Sequence, residues 1–284
     1  MTKMTENAIL VDTHWLAEHK DDPKVKVFDA SMEKIIGREP LVYEQATLIP
    51  GAFDLALERH LTATNSQLPN AFPELEQVQS WLRQQGVNNG DTLVVYDNQG
   101  IYSAPRAWVI LKALGMENVL ILNGGLPKWL AEERPVTATY ATADEPGHVV
   151  LKQQQHWLAT WEQALQVSQC GTFALLDARS YERFRGRQPE PREGMRAGHI
   201  PGAKNVPFAE VLQGSEFKPV SELQQLLQQH LSDPEQPVIT SCGSGVTACI
   251  LLVAARLAGY QQVRLYDGSW AEWGVRRDLP VATT

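Results

Sequence analysis

Apolar residues in this chain fall into short continuous runs, separated by stretches with helical periodicity. The pattern is clearest in the second half. Trp157, Leu158, Trp161, Ala164 and Leu165 recur at helical spacing, and Phe173–Leu176 reads as a buried strand. Ser221 stands where it can cap a helix carrying Leu223, Leu226, Leu227 and Leu231, with Gln224 completing a capping box. Pro237–Ser241 is the next predicted strand. Val246–Ala258 follows as a nearly all-apolar helix closed by Gly259, and Val263–Tyr266 is the last strand. Strands alternating with helices predict an α/β fold, a mostly parallel sheet with helices on both faces. Functional loops are then expected at the carboxyl ends of the strands.

The pattern occurs twice. Asp29-Ala30 after Val25–Phe28 matches Asp177-Ala178 after Ala174–Leu176, and Ile49–Ala52 matches Ile200–Ala203. Leu93–Asp97 matches Val238–Cys242, and Leu122–Trp129 matches Tyr266–Trp273. Four landmarks in one order at nearly constant offset predict two domains, 8–133 and 150–284. The linker is expected at 134–149, rich in Pro, Thr and Ala with weak periodicity. Two copies of so long a unit exclude a solenoid. The copies differ at one telling place: Asp97 stands where the second has Cys242, which predicts a first domain without a nucleophile.

Cys242 sits between a predicted strand and a predicted helix, in the run Ser241, Cys242, Gly243, Ser244, Gly245, Val246, Thr247, Ala248. A turn of this kind points backbone N–H groups inward, and the helix N-terminus adds partial positive charge. Both favour the thiolate of a cysteine placed there. An isolated cysteine is more often a buried structural one, but Gly243 and Gly245 let the backbone approach the sulfur closely. A tyrosine-phosphatase-type loop would need an arginine six positions after the cysteine, where this chain has Ala248. The cradle from Gly243 through Ser244, Gly245, Val246 and Thr247 carries no charge. It suits a small anion built on the sulfur itself, such as a persulfide.

Composition narrows the partners. A net charge of −8 argues against nucleic acid and against an anionic membrane. Three cysteines without a CxxC pair argue against a disulfide scaffold and a structural zinc, and point to a reducing compartment. With no apolar leader and no run near the roughly 20 residues of a membrane span, the expectation is a cytoplasmic protein. Cys249, two helical turns after Cys242, reads as core packing. Residues 179–196 hold six arginines, three glutamates and no lysine. Guanidinium groups suit bidentate recognition of a carboxylate. Most of the six are expected to be solvated, with Arg179 structural and Arg185 and Arg187 contributing only to the local field.

The Cys242–Ala248 loop, and nearly the whole chain around it, resembles the 3-mercaptopyruvate sulfurtransferases, two-domain relatives of rhodanese. The resemblance implies two tandem rhodanese-like domains, the first inactive. It implies Cys242 as nucleophile, Ser244 as a second catalytic group, and the amides of residues 243–247 as the persulfide cradle. By position, Arg183 and Arg192 would hold the donor carboxylate. No metal and no organic cofactor is implied. The partners would be a small sulfur donor and a thiol, cyanide or thioredoxin-like acceptor. Two alternatives remain: a thiosulfate sulfurtransferase, and a protein that only relays persulfide. His199 in Gly198–Gly202 resembles a structural landmark, and Trp270 and Trp273 read as packing. The chain departs from the family at Asn70, where a histidine is usual, and near Ala56, where an acidic residue is usual. A Ser-His-Asp proton relay is therefore not expected.

Overall fold

The computed structural model describes residues 8–171 and 173–284. Residues 1–7, read above for the lack of a leader, lie outside the described residues. The chain forms two compact units. The first comprises the chain to Thr64, Phe72–Gln154 and Gly214–Phe217; the second comprises Asn65–Ala71, Gln155–Gln213 and Lys218–Thr284. Segment 134–149 carries no helix and groups with the first unit. Thr137 bridges to Leu48, and the Gly147 and Val149 N–H groups donate to the Arg83 and Val87 carbonyls at 2.7 and 3.1 Å.

In the first unit, strands β1 (Leu10–Val11), β2 (Val25–Asp29), β3 (Phe53–Asp54), β4 (Thr92–Tyr96) and β5 (Val119–Leu122) form a parallel sheet in the order β1-β5-β4-β2-β3. Its helices are α1 (Thr13–His19), α2 (Leu57–His60), α3 (Leu75–Gln84), α4 (Ala104–Ala113) and α5 (Gly125–Ala131). Leu16 of α1 and Leu126 and Trp129 of α5 share one core with Val27, Val94, Tyr96, Leu120 and Leu122, the alternate residues of three strands.

The second unit repeats this with β6 (Leu158–Ala159), β7 (Ala174–Asp177), β8 (Lys204–Asn205), β11 (Val238–Ser241) and β12 (Val263–Tyr266) in the order β6-β12-β11-β7-β8, again parallel. Between β8 and β11 the chain carries two short strands, β9 (Leu212–Gln213) of this unit and β10 (Glu216–Phe217), which belongs to the first. The helices are α6 (Trp161–Cys170), α7 (Tyr181–Phe184), α8 (Val220–Gln228), α9 (Thr247–Leu257) and α10 (Ser269–Trp273). Leu175 and Ile239 face a core with Ala164 and Val167 of α6 and Trp270 and Trp273 of α10. Helix α9, almost wholly buried, packs on β11 and β12. An apolar helix with no polar face needs such a place. Both tryptophans are packing, as expected.

Two elements differ from their sequence reading. Trp157 and Leu158 lie outside the helix expected of them: Trp157 ends a short 3-10 turn over Gln155–Trp157, Leu158 pairs with Leu265 in an edge strand, and α6 starts only at Trp161. Its start is fixed by a capping box at Thr160, whose side chain accepts from the Gln163 N–H while Gln163 reaches back. Ser221 caps nothing: Pro219 takes the N-cap of α8 and leaves Ser221 inside the first turn. Leu231 lies past the helix but is buried. Among the described residues no helix is long and apolar enough to cross a membrane.

Candidate active site

Cys242 directly follows β11, the central strand of its sheet, and is buried. The loop it opens is tied down through its backbone. The Cys242 N–H donates to Ser269 Oγ at 3.1 Å, and that hydroxyl donates to the Tyr266 carbonyl at 2.8 Å. The Cys242 and Gly243 carbonyls accept from the Trp270 and Ala271 N–H groups at 3.0 and 2.8 Å. The start of α10 thus fixes the loop that β11 delivers. Gly245, with φ +79°, turns the chain toward Val246, the N-cap of α9. No acidic residue stands in the first turn of α9, from Thr247 on, to offset the positive end of its dipole. Cys249, buried in that helix, donates its thiol to the Gly245 carbonyl at 3.1 Å.

Both arginines singled out in the sequence reach this loop. Arg183, at the end of α7, is nearly buried, and its Nη2 lies 2.9 Å from where a Cβ on Gly243 would stand. Arg192 places Nη2 3.5 Å from Ser244 Oγ. The Ser244 hydroxyl also accepts from Asn70 Nδ2 at 3.0 Å. Asn70 is held in a left-handed conformation, φ +57°, which asparagine tolerates better than most residues.

The remaining arginines divide by role. Arg179 forks onto Asp177, donates to Glu190 Oε1 at 2.8 Å and lies over the Trp270 ring at 4.5 Å. It is structural, as expected. Arg196 is structural too, which was not expected: it donates to the carbonyls of Trp273, Gly274, Arg276 and Leu279. Only Arg185 and Arg187 are exposed. Glu190 was missed. Its buried carboxylate accepts from Arg183 and Arg179 together, and the one sequence hint was an acid between two prolines in an arginine-rich stretch. His199 is an anchor: its ring stacks on Phe184 at 3.8 Å, Nδ1 lies 2.8 Å from the Phe184 carbonyl, and burial pushes its pKa down. Among the described residues no group of three His, Cys, Asp or Glu side chains could hold a metal.

A model of the rhodanese-like domain matches residues 12–132 and again 160–275. The chain belongs to the rhodanese-like family. It is a sulfurtransferase built of tandem rhodanese-like domains, as the resemblance implied, and its α/β fold is the one the sequence pattern predicted. The 3-mercaptopyruvate sulfurtransferase of Escherichia coli K12 is 40% identical to it, across 95% of this chain and 96% of that one. The thiosulfate sulfurtransferase of Rattus norvegicus is 37% identical, across 93% and 91%. In structure the chain is similar to SseA from Escherichia coli, described as a 3-mercaptopyruvate sulfotransferase, with a TM-score of 0.81 at 35% identity over 93% of this chain and 99% of that one.

The two rhodanese-like units treat the end of the central strand differently. In the first, the Asp97 carboxylate follows β4 and accepts four backbone N–H groups, from Gln99 at 2.9 Å and from Tyr102, Ser103 and Ala104 at 2.9, 2.8 and 2.8 Å. Burial pushes its pKa up and the four amides pull against that. Where the second unit has a sulfur, the first has an anion that fills its own nest of amides at the start of α4.

Proposed function

We propose that the chain moves a sulfane sulfur from 3-mercaptopyruvate, through a persulfide on Cys242, to a thiol or cyanide acceptor, and releases pyruvate. What carries the reading is the meeting of two guanidinium groups with consecutive residues of the cysteine loop, Arg183 at Gly243 and Arg192 at Ser244. A carboxylate held by such a pair would present its mercaptan to the neighbouring sulfur.

The Cys242 thiolate attacks the donor sulfur, and the C–S bond breaks with its electron pair going to carbon as the enolate of pyruvate. The proton of the donor thiol ends on that carbon, so the half-reaction leaves a persulfide anion and pyruvate and consumes no other proton. Backbone dipoles of residues 243–247 and the N-terminus of α9 stabilise the persulfide. A thiolate or cyanide then takes the outer sulfur and restores the Cys242 thiolate. Ser244 accepts hydrogen bonds from Asn70 and Arg192, which leaves its own proton to donate to the enolate oxygen. Asn70 does not titrate, so no histidine relay enters the step.

Thiosulfate is the second reading, favoured by the likeness to the rat thiosulfate sulfurtransferase. The loop weighs against it. A dianion calls for more positive charge than a carboxylate does, and Gly243 and Ser244 add no charge of their own to the two guanidinium groups that reach them. The deciding experiment is kcat/KM of the purified protein for both donors, with pyruvate release from mercaptopyruvate set beside thiocyanate formation from thiosulfate and cyanide. A higher kcat/KM for thiosulfate overturns the proposed donor. No turnover of either would leave persulfide relay.

A further inference from the structure

The second unit carries a groove of about 420 Å³, lined by Tyr181, Phe184, Arg185, Arg187, Asn205 and Thr284. None of these residues takes part in the sulfur chemistry proposed above. Arg183 of α7 reaches the cysteine loop, whereas Arg185, at the C-cap of that helix, lies over the Tyr181 ring at 5.5 Å.

Three features of the lining define what fits. Its rings are fixed and apolar: Phe184 stacks on His199, and Tyr181 is 44% exposed with its hydroxyl held by Glu210. Its charge is positive and uncommitted. Arg179, Arg183 and Arg196 are tied to Asp177, Glu190 and backbone carbonyls, and Arg192 reaches Ser244. Arg185 and Arg187 are exposed, and among the described residues neither forms an ion pair. On a chain of net charge −8, such a place attracts acidic partners that the rest of the surface repels. The third feature is an unmet acceptor. Asn205 Nδ2 donates to the carbonyls of Asp177 and Arg179 at 2.9 and 2.8 Å, which fixes the amide and leaves Oδ1 buried without a partner. Such an oxygen calls for an N–H donor.

We propose that this groove docks an extended acidic segment of a partner protein. Its carboxylates meet Arg185 and Arg187, an apolar side chain lies against Tyr181 and Phe184, and a backbone N–H turns to Asn205 Oδ1. A simple anion offers only the first of these contacts, whereas a peptide offers all three.

The test is fluorescence anisotropy of the whole chain with a labelled octapeptide of alternating Asp and Leu, beside a counterpart of alternating Asn and Leu. One exposed ion pair tightens binding about threefold, so the Asp peptide is expected to bind about tenfold more tightly than the Asn peptide. Arg185→Ala and Arg187→Ala are each expected to raise its Kd about threefold, and the double variant to bring the two peptides level. Tyr181→Ala is expected to weaken both peptides alike. Failure of the Asp peptide to bind, equal binding of the two by wild type, or a Kd unmoved in the double arginine variant overturns the proposal. An unmoved Kd in Tyr181→Ala does so too, because the apolar contact would then be missing. Displacement of the peptide by pyruvate at matched ionic strength also overturns it, by assigning the binding to a site for small carboxylates.

Discussion

Sulfur is the atom at Cys242 for which the proposed reaction has no substitute, since a hydroxyl near neutral pH neither attacks a thiol sulfur well nor holds a persulfide. Cys242→Ser is expected to abolish turnover with either donor. Donor added without acceptor should leave one extra sulfur on the peptide containing Cys242, read by mass spectrometry. Finding it on Cys170 or Cys249 would refute the assignment. Ser244 offers a subtler check. Asn70→Leu removes one of its two hydrogen-bond donors and is expected to lower kcat about tenfold, the worth of one such bond near charge. Asn70→His is expected to introduce a titration near pH 6.5 into the kcat profile that the wild type lacks. An unchanged profile in Asn70→His, with full activity in Asn70→Leu, would detach residue 70 from the chemistry.

Elements, rather than single residues, explain why the first unit tolerates its aspartate. The Asp97 carboxylate ties Gln99, Tyr102 and Ser103 to the first residue of α4, so it closes a loop and caps a helix at once. Asp97→Ala would leave four buried N–H groups without that acceptor, and each unmet buried group costs about 1–3 kcal/mol. Allowing for water to enter, a loss of about 3 kcal/mol or more is expected in urea unfolding, with Asp97→Asn milder. A wild-type midpoint in Asp97→Ala would show that the nest does not depend on its anion. Thr160, which caps α6 through a full capping box, is the local counterpart, and Thr160→Ala is expected to cost about 1 kcal/mol.

Across the whole molecule, the proposal predicts one stored sulfur per chain although the fold is duplicated, because only one central strand ends in cysteine. Burial also pushes the pKa values of His60, His156, His199 and His230 down. The unfolded chain then takes up protons first as pH falls below about 6.5. This contribution to stability is full above that pH and is lost as pH falls toward the folded values. His199→Gln is expected to flatten the decline of Tm between neutral and mildly acid pH, and an unchanged slope would exclude His199 from it. The duplication, the two parallel sheets and the place of Cys242 were legible in the sequence, because they follow from the order and period of apolar runs. Even the exchange of Asp97 for Cys242 could be read by setting one copy against the other. Other features were decided only by tertiary structure. Six arginines in one segment look alike in sequence, yet packing buries Arg179, aims Arg183 and Arg192 at the loop and spends Arg196 on distant carbonyls. Ser244 meets Asn70 across 174 positions of sequence, and Gly243 owes its bare α-carbon to Arg183 rather than to its own backbone. Such contacts join residues far apart in the chain, so they depend on how elements pack, which no local period records.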